Sequence, residues 1–309
     1  MAAEESTFTV VLAFAANALI ALAKTAAAAI TGSASMVAES AHSWADTGNE
    51  VLLIVADRRS KREPDATHPL GFGREAYVWS MFAALGLFAV GAGVSITHGI
   101  QELINPEPAS DFGVAYVVLA ISFVLEGISF RQATKQLKGE ASRAERGLLE
   151  HTLQTSDPTT RAVFAEDSGA LIGLVLAFIG VAAHQITGSP VPDALGSIAV
   201  GVLLGVIAVV LIDRNRRFLI GEEGSPQLRA GALQMLLAQP EVERVTFLRL
   251  EYLGPRKVYL AANVDLVGDA AESQVAEALQ AVRQRVQADP HVVLAVLGLS
   301  TREDPSLTG

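Results

Sequence analysis

The sequence contains no cysteine, so neither a disulfide framework nor a thiolate metal site is open to it. Any metal it handles must be held by His, Asp, Glu, Asn or backbone oxygen. Three of its polar breaks, at 31–35, 101–111 and 187–193, contain no lysine or arginine. The first residues, MAAEESTFT, have no positive n-region and no small-residue cleavage site, so no removable signal peptide is expected. There is no H-E-x-x-H, no G-x-S-x-G and no evident nucleophile to pair with a histidine. This argues against a hydrolase, and the chain is expected not to be an enzyme. Acids outnumber bases, 33 against 23, for a net charge of −10. That balance argues against nucleic acid as a partner. Internal repeats and low-complexity segments are also missing.

What is present is apolar. Half of the 309 residues are hydrophobic, yet 18% are charged. With a mean hydropathy of +0.37, this fits a membrane part joined to a soluble part. Taking about 20 residues as the length needed to cross a bilayer, six stretches qualify: 8–30, 36–56, 77–100, 112–130, 162–186 and 194–212. Acids interrupt the second and fifth. The charges between them settle the count. Arg58, Arg59, Lys61, Arg62 and Arg74 follow the second stretch, and Arg131, Lys135, Lys138, Arg143, Arg146 and Arg161 follow the fourth. Arg214, Arg216 and Arg217 follow the sixth. The loops on the other side have none. By the positive-inside rule the spans number six and both termini are cytoplasmic, the host being the plasma or inner cell membrane.

From about residue 225 the pattern changes. Residues 225–239 read as an amphipathic helix ended by Pro240. Residues 242–253 and 257–267 read as strands joined at Gly254-Pro255. Residues 270–288 read as a second helix, with Val275, Leu279, Val282 and Val286 at helical spacing, and 291–299 as a third strand. The expected fold is an α-helical membrane protein. It has a six-helix transmembrane domain at 1–220 and a cytoplasmic α+β domain of order αββαβ at 221–309, with 301–309 a loose tail.

The chemistry centres on 36–56, MVAESAHSWADTGNEVLLIVA. His42 and Asp46 stand four residues apart, on one face of a helix. An ionisable group inside a span costs roughly 2.5–3.5 kcal/mol on insertion scales, so one that is kept there is a functional candidate. Imidazole nitrogen with carboxylate oxygen suits a divalent transition metal. The other acids read at comparable depth are Glu166 and Asp167 in the fifth stretch. Lys24, near the end of the first stretch, is either functional or a side chain that reaches back to the interface.

The runs TGSASMVAESAHSWADTGNEVLL, HPLGFGRE and PDALGSIAVGVLLGVIAVVLIDRNRRFLIGEE resemble the cation diffusion facilitator family, and the resemblance covers nearly the whole chain. It implies a homodimeric metal-ion/proton antiporter, most often for Zn²⁺, with relatives that move Mn²⁺, Fe²⁺ or Co²⁺. Divalent metal is then the transported substrate, with no organic cofactor. The family's transport site uses two residues four apart on the second helix and two four apart on the fifth. Here these correspond to His42, Asp46 and Asp167, with Val163 where the fourth ligand would stand. Glu166 is one candidate for the vacant place; water or Asn49 are others. A second family site, between spans two and three, matches Asp65 and His68, but Phe72 replaces a third ligand. The soluble domain holds one histidine, His291, which argues against a metal-loaded regulatory site there.

The expected activity is export of a divalent cation in exchange for protons, by alternating access around the His/Asp site. The imidazole favours Zn²⁺ or Co²⁺ over Mn²⁺. The alternatives are an exporter of Mn²⁺, Fe²⁺ or Co²⁺, a metal-gated channel or sensor, and a transport-inactive scaffold subunit, which Val163 keeps open.

Overall fold

The structure is a computed structural model and describes residues 2–106, 109–143 and 147–307. Arg146 of the basic set and the last two residues of the tail lie outside them. Two compact units emerge. One comprises residues 1–57 and 78–215, the other 58–77 and 216–309.

The first unit is helical. It contains α1 (Ala2–Thr31) and most of α2 (Ala34–Ser60) and α3 (Glu75–Gly86). α3 runs through a π-helical turn, Leu87–Ala92, into α4 (Gly93–Ile104). Then come α5 (Phe112–Arg143), α6 (Leu148–Gln154), α7 (Pro158–Thr187) and α8 (Val191–Ile220). Among the described residues, four helical stretches are long and apolar enough to cross a membrane: Glu75–Ile104, Phe112–Gly139, Pro158–Thr187 and Val191–Ile220. α1 contributes a shorter apolar stretch, Asn17–Thr31. α2 has 27 residues, about 40 Å of helix, but Glu39, Asp46 and Glu50 keep its hydropathy low. The outer faces are oily. Ile121, Val124 and Ile128 on α5, Ile172 and Ile179 on α7, and Val206 and Val209 on α8 are all exposed. A chain folded in water would not leave such bands uncovered; lipid covers them.

Local chemistry explains the ends of these helices. The Asp157 side chain accepts from the N–H groups of Thr159 and Thr160, with Pro158 in the first turn, and so starts α7. Gly188, at φ 66°, ends it in the left-handed region open to glycine. Between α4 and α8 glycines allow close approach. A Cβ on Gly99 would stand 2.8 Å from the Ala194 carbonyl oxygen, and one on Gly201 would stand 3.0 Å from the Ile96 nitrogen.

Two sequence expectations change here. α5 does not stop near residue 130 but runs to Arg143, so Arg131, Lys135 and Lys138 lie on a helix rather than a loop. Arg161 is not a loop cation either. It is buried in the first turns of α7, where its guanidinium donates to the Thr155 carbonyl (2.9 Å) and to Asn215 Oδ1 (2.7 Å). α6 was not expected at all.

The second unit carries the sheet. After α9 (Pro226–Leu237) come β1 (Val242–Gly254), β2 (Lys257–Leu266), α10 (Glu272–Gln287) and β3 (Val292–Leu299). The strand order is β1-β2-β3; β2 pairs antiparallel with β1 and parallel with β3. Leu233, Leu236, Leu250, Leu260, Val282 and Val286 form its core. Burying each such side chain contributes about 1.5–3 kcal/mol. Residues 58–77 pack with this unit. Gly73 lies so close to β1 that a Cβ would meet the Leu253 carbonyl oxygen at 2.5 Å. Arg74 pairs with Glu251, and Tyr77 stacks on Phe218 at 4.9 Å.

Candidate metal site

α2 brings its polar residues onto one stripe: Glu39, His42, Asp46, Asn49 and Glu50 follow at helical spacing. His42 is fully buried, and neither of its ring nitrogens has a hydrogen-bond partner. Its Nδ1 lies 3.4 Å from Asp46 Oδ1, within ion-pair distance but not aligned as a hydrogen bond, since that oxygen is also unpaired. Leaving such a buried group unsatisfied costs about 1–3 kcal/mol. The unpaired atoms that face each other, a ring nitrogen and a carboxylate oxygen, are of the kinds that ligate a divalent metal.

A cavity of about 620 Å³ opens beside them. Asp46, Glu50, Glu126, Ser129, Val163, Glu166 and Asp167 line it. α7 places Glu166 and Asp167 on adjacent positions, about 100° apart around the helix. They are held differently. Glu166 Oε1 accepts from Asn49 Nδ2 at 3.1 Å, and Asp167 Oδ2 accepts from Ser129 Oγ at 2.9 Å. On α3, a Cβ at Gly86 would stand 3.4 Å from Asn49 Oδ1. His42 and Asp46 thus come together, and Glu166 and Asp167 face the same cavity as Asp46. Among the described residues no three His, Asp or Glu side chains close on one point as a finished ligand shell.

One residue and two pairings escaped the sequence reading. Glu126, in the middle of α5, is a further acid on this cavity. Its signal was available, as a lone carboxylate within the apolar run VVLAISFVLEGISF. Lys24 does not reach for an interface. It is fully buried and pairs with Glu39 at 3.0 Å. Glu50, which lines the cavity, accepts from Asn17 Nδ2 at 3.2 Å.

Asp65 and His68 also meet, at 3.2 Å, but on an exposed turn. The Asp65 carboxylate accepts from the Thr67 hydroxyl and from the backbone N–H groups of Thr67 and His68. The hydroxyl of Thr67, with these neighbours, lowers the Asp65 pKa to about 2. The His68 ring lies 4.3 Å from that of Phe72. This is a self-satisfied turn, and its carboxylate already has its partners.

A bundle of apolar helices with acids lining a cavity, and a buried imidazole beside one of them, defines an integral membrane protein of the ion-handling kind. Residues 10–220 match the cation efflux transmembrane domain, and the chain belongs to that family of metal transporters. It is 36% identical to metal tolerance protein C4 of Arabidopsis thaliana over 75% of this chain and 51% of that one. It is 36% identical to the mitochondrial proton-coupled zinc antiporter SLC30A9 of Mus musculus over 77% of this chain and 42% of that one. It is 25% identical to magnetosome protein MamB of Paramagnetospirillum magneticum over 90% of this chain and 88% of that one. The chain therefore spans about half the length of the first two and most of the third.

Proposed function

We propose that this chain is a secondary carrier that exports a divalent cation, zinc foremost, from the cytoplasm in exchange for protons. Its transmembrane domain at 1–220 comprises six spans with both termini cytoplasmic, the residues from 221 form a cytoplasmic αββαβ domain, and two copies make the working dimer. The observation that carries this reading is the buried, unpaired His42 ring facing the unpaired Oδ1 of Asp46, which lines an acid-rich cavity. Asp167 and Glu166 are its partners from α7. Glu126 supplies from α5 the carboxylate that Val163 cannot. Ligation requires a neutral imidazole and ionised carboxylates, so metal and proton compete for the same atoms. A site that faces each side in turn converts that competition into exchange. The zinc named in the SLC30A9 relative supports the choice of metal, as does imidazole among oxygen donors.

The test is metal flux into proteoliposomes under an imposed pH gradient, with Zn²⁺, Mn²⁺, Fe²⁺ and Co²⁺ offered separately. Gradient-dependent Zn²⁺ flux that Asp46→Ala abolishes is the expected result. Flux of Mn²⁺, Fe²⁺ or Co²⁺ without Zn²⁺ keeps the carrier and changes the metal. Flux that survives Asp46→Ala overturns the site. A second reading, a transport-inactive subunit, is favoured by Val163, which lines the cavity without a donor atom; absence of flux for all four ions would select it.

A further inference from the structure

Glu39 and Lys24 lie outside the cavity, toward the α1–α2 turn, and the exchange just described leaves them without a task. Both side chains are fully buried. Lys24 Nζ holds Glu39 Oε2 at 3.0 Å, while Glu39 Oε1 has no partner. A buried ion pair is seldom a net gain in stability, because the desolvation cost rivals the attraction. One carboxylate oxygen left bare adds to that cost. The space around this oxygen is shaped for it: a Cβ on Gly173 of α7 would stand 2.7 Å away. Glu39 precedes His42 by three residues and His42 precedes Asp46 by four, so the imidazole lies on one stripe between two carboxylates. Its two nitrogens are both unpaired. The cavity reaches Asp46 and Ser43 but neither Glu39 nor His42.

We propose that Glu39 is a second cation-binding station on the exit side of His42, where it receives the metal from Asp46 through the shared imidazole, and that the Lys24 ammonium occupies it until then. This rests on the export reading above, which makes the α1–α2 turn the exit end. Lys24 acts as a tethered substitute for the cargo. While the site faces inward it neutralises Glu39 and keeps the outer path shut; an arriving divalent cation displaces it. The ligands of the station are the Glu39 carboxylate and the His42 imidazole, and its ligand class is a divalent metal ion of borderline softness.

The experiment compares Glu39→Gln with the neutral pair Lys24→Gln/Glu39→Gln, in the full chain. Zinc binding is read on the purified protein, and zinc flux in proteoliposomes. The station predicts unchanged zinc binding at the Asp46 site in both variants, with flux lowered at least about tenfold in both. If the pair is only a brace, the neutral pair keeps its shape and compensation and restores flux; that result overturns the proposal. Loss of zinc binding together with flux also overturns it, because Glu39 would then belong to the inner site. Asp46→Ala run in parallel separates the two claims. Normal flux in that variant sinks the export site itself, whereas a dead Asp46→Ala beside a normal double variant sinks only the station.

Discussion

At its first turn α2 is tied down. The N–H groups of Ala34 and Ser35 donate to the Asp193 carboxylate at 2.8 and 3.2 Å, and Ser35 Oγ donates to the Asp193 carbonyl at 2.9 Å. Ser35 fits there because Gly180 and Gly196 leave room for its hydroxyl. Two turns further along, His42 and Asp46 face each other with donors unpaired, and a cavity opens beyond them. One helix therefore holds a satisfied end and an unsatisfied middle. Satisfied polar groups fix where the helix sits, and unsatisfied ones are where a ligand can be taken up. The cavity reaches Asp46, Glu50 and Leu53 on the later turns of the helix and does not reach Asp193.

The sharpest way to break this contrast is to remove the unsatisfied donors. His42→Ala and Asp46→Ala should abolish flux and leave the thermal unfolding temperature in detergent unchanged or raised, because each deletes a buried polar atom that has no hydrogen-bond partner. A large drop in unfolding temperature would mean the pair serves the fold. Next in size is the satisfied end. Asp193→Ala deprives two backbone N–H groups of their acceptor and should destabilise by about 1–2 kcal/mol, read as a lower unfolding temperature, with zinc binding retained. Equal stability would show that the Asp193 cap is not what fixes the start of α2. The smallest effect lies away from both, at the Asp65 turn. A folded pKa of about 2 against the ordinary 3.8 means that this carboxylate favours folding above pH 3.8. The contribution fades as pH falls through about 2. The Asp65 carboxyl resonance should therefore stay constant from about pH 8 down to about pH 4. A midpoint at the ordinary value would dissolve the turn as drawn.

Much of this was legible in the sequence. The i, i+4 spacing of His42 and Asp46 in an apolar helix requires no tertiary knowledge, and the structure places the two side chains together. The αββαβ order followed from Pro240, Gly254-Pro255 and the spacing of Val275, Leu279, Val282 and Val286. What was hidden depends on contacts between distant segments. Lys24 and Glu39 are fifteen residues apart in the chain, and a lone lysine near a span end reads equally as an interface group. Glu126 shares a cavity with Asp46 only once α5 lies against it. The grouping of 58–77 with the sheet unit rests on Gly73 against Leu253, a backbone approach that hydropathy cannot register. α5 outran its expected end because Lys135 and Lys138 are good helix formers, and loss of hydrophobicity is not loss of helix.

The central claim is that His42 and Asp46 hold the transported metal, and the most direct measurement is X-ray absorption at the zinc edge on the full chain with one equivalent of zinc. The account predicts an oxygen-rich shell with an imidazole contribution at about 2.0–2.1 Å, and its loss in His42→Ala. An imidazole signal unchanged in His42→Ala would place the zinc on another histidine and contradict the account.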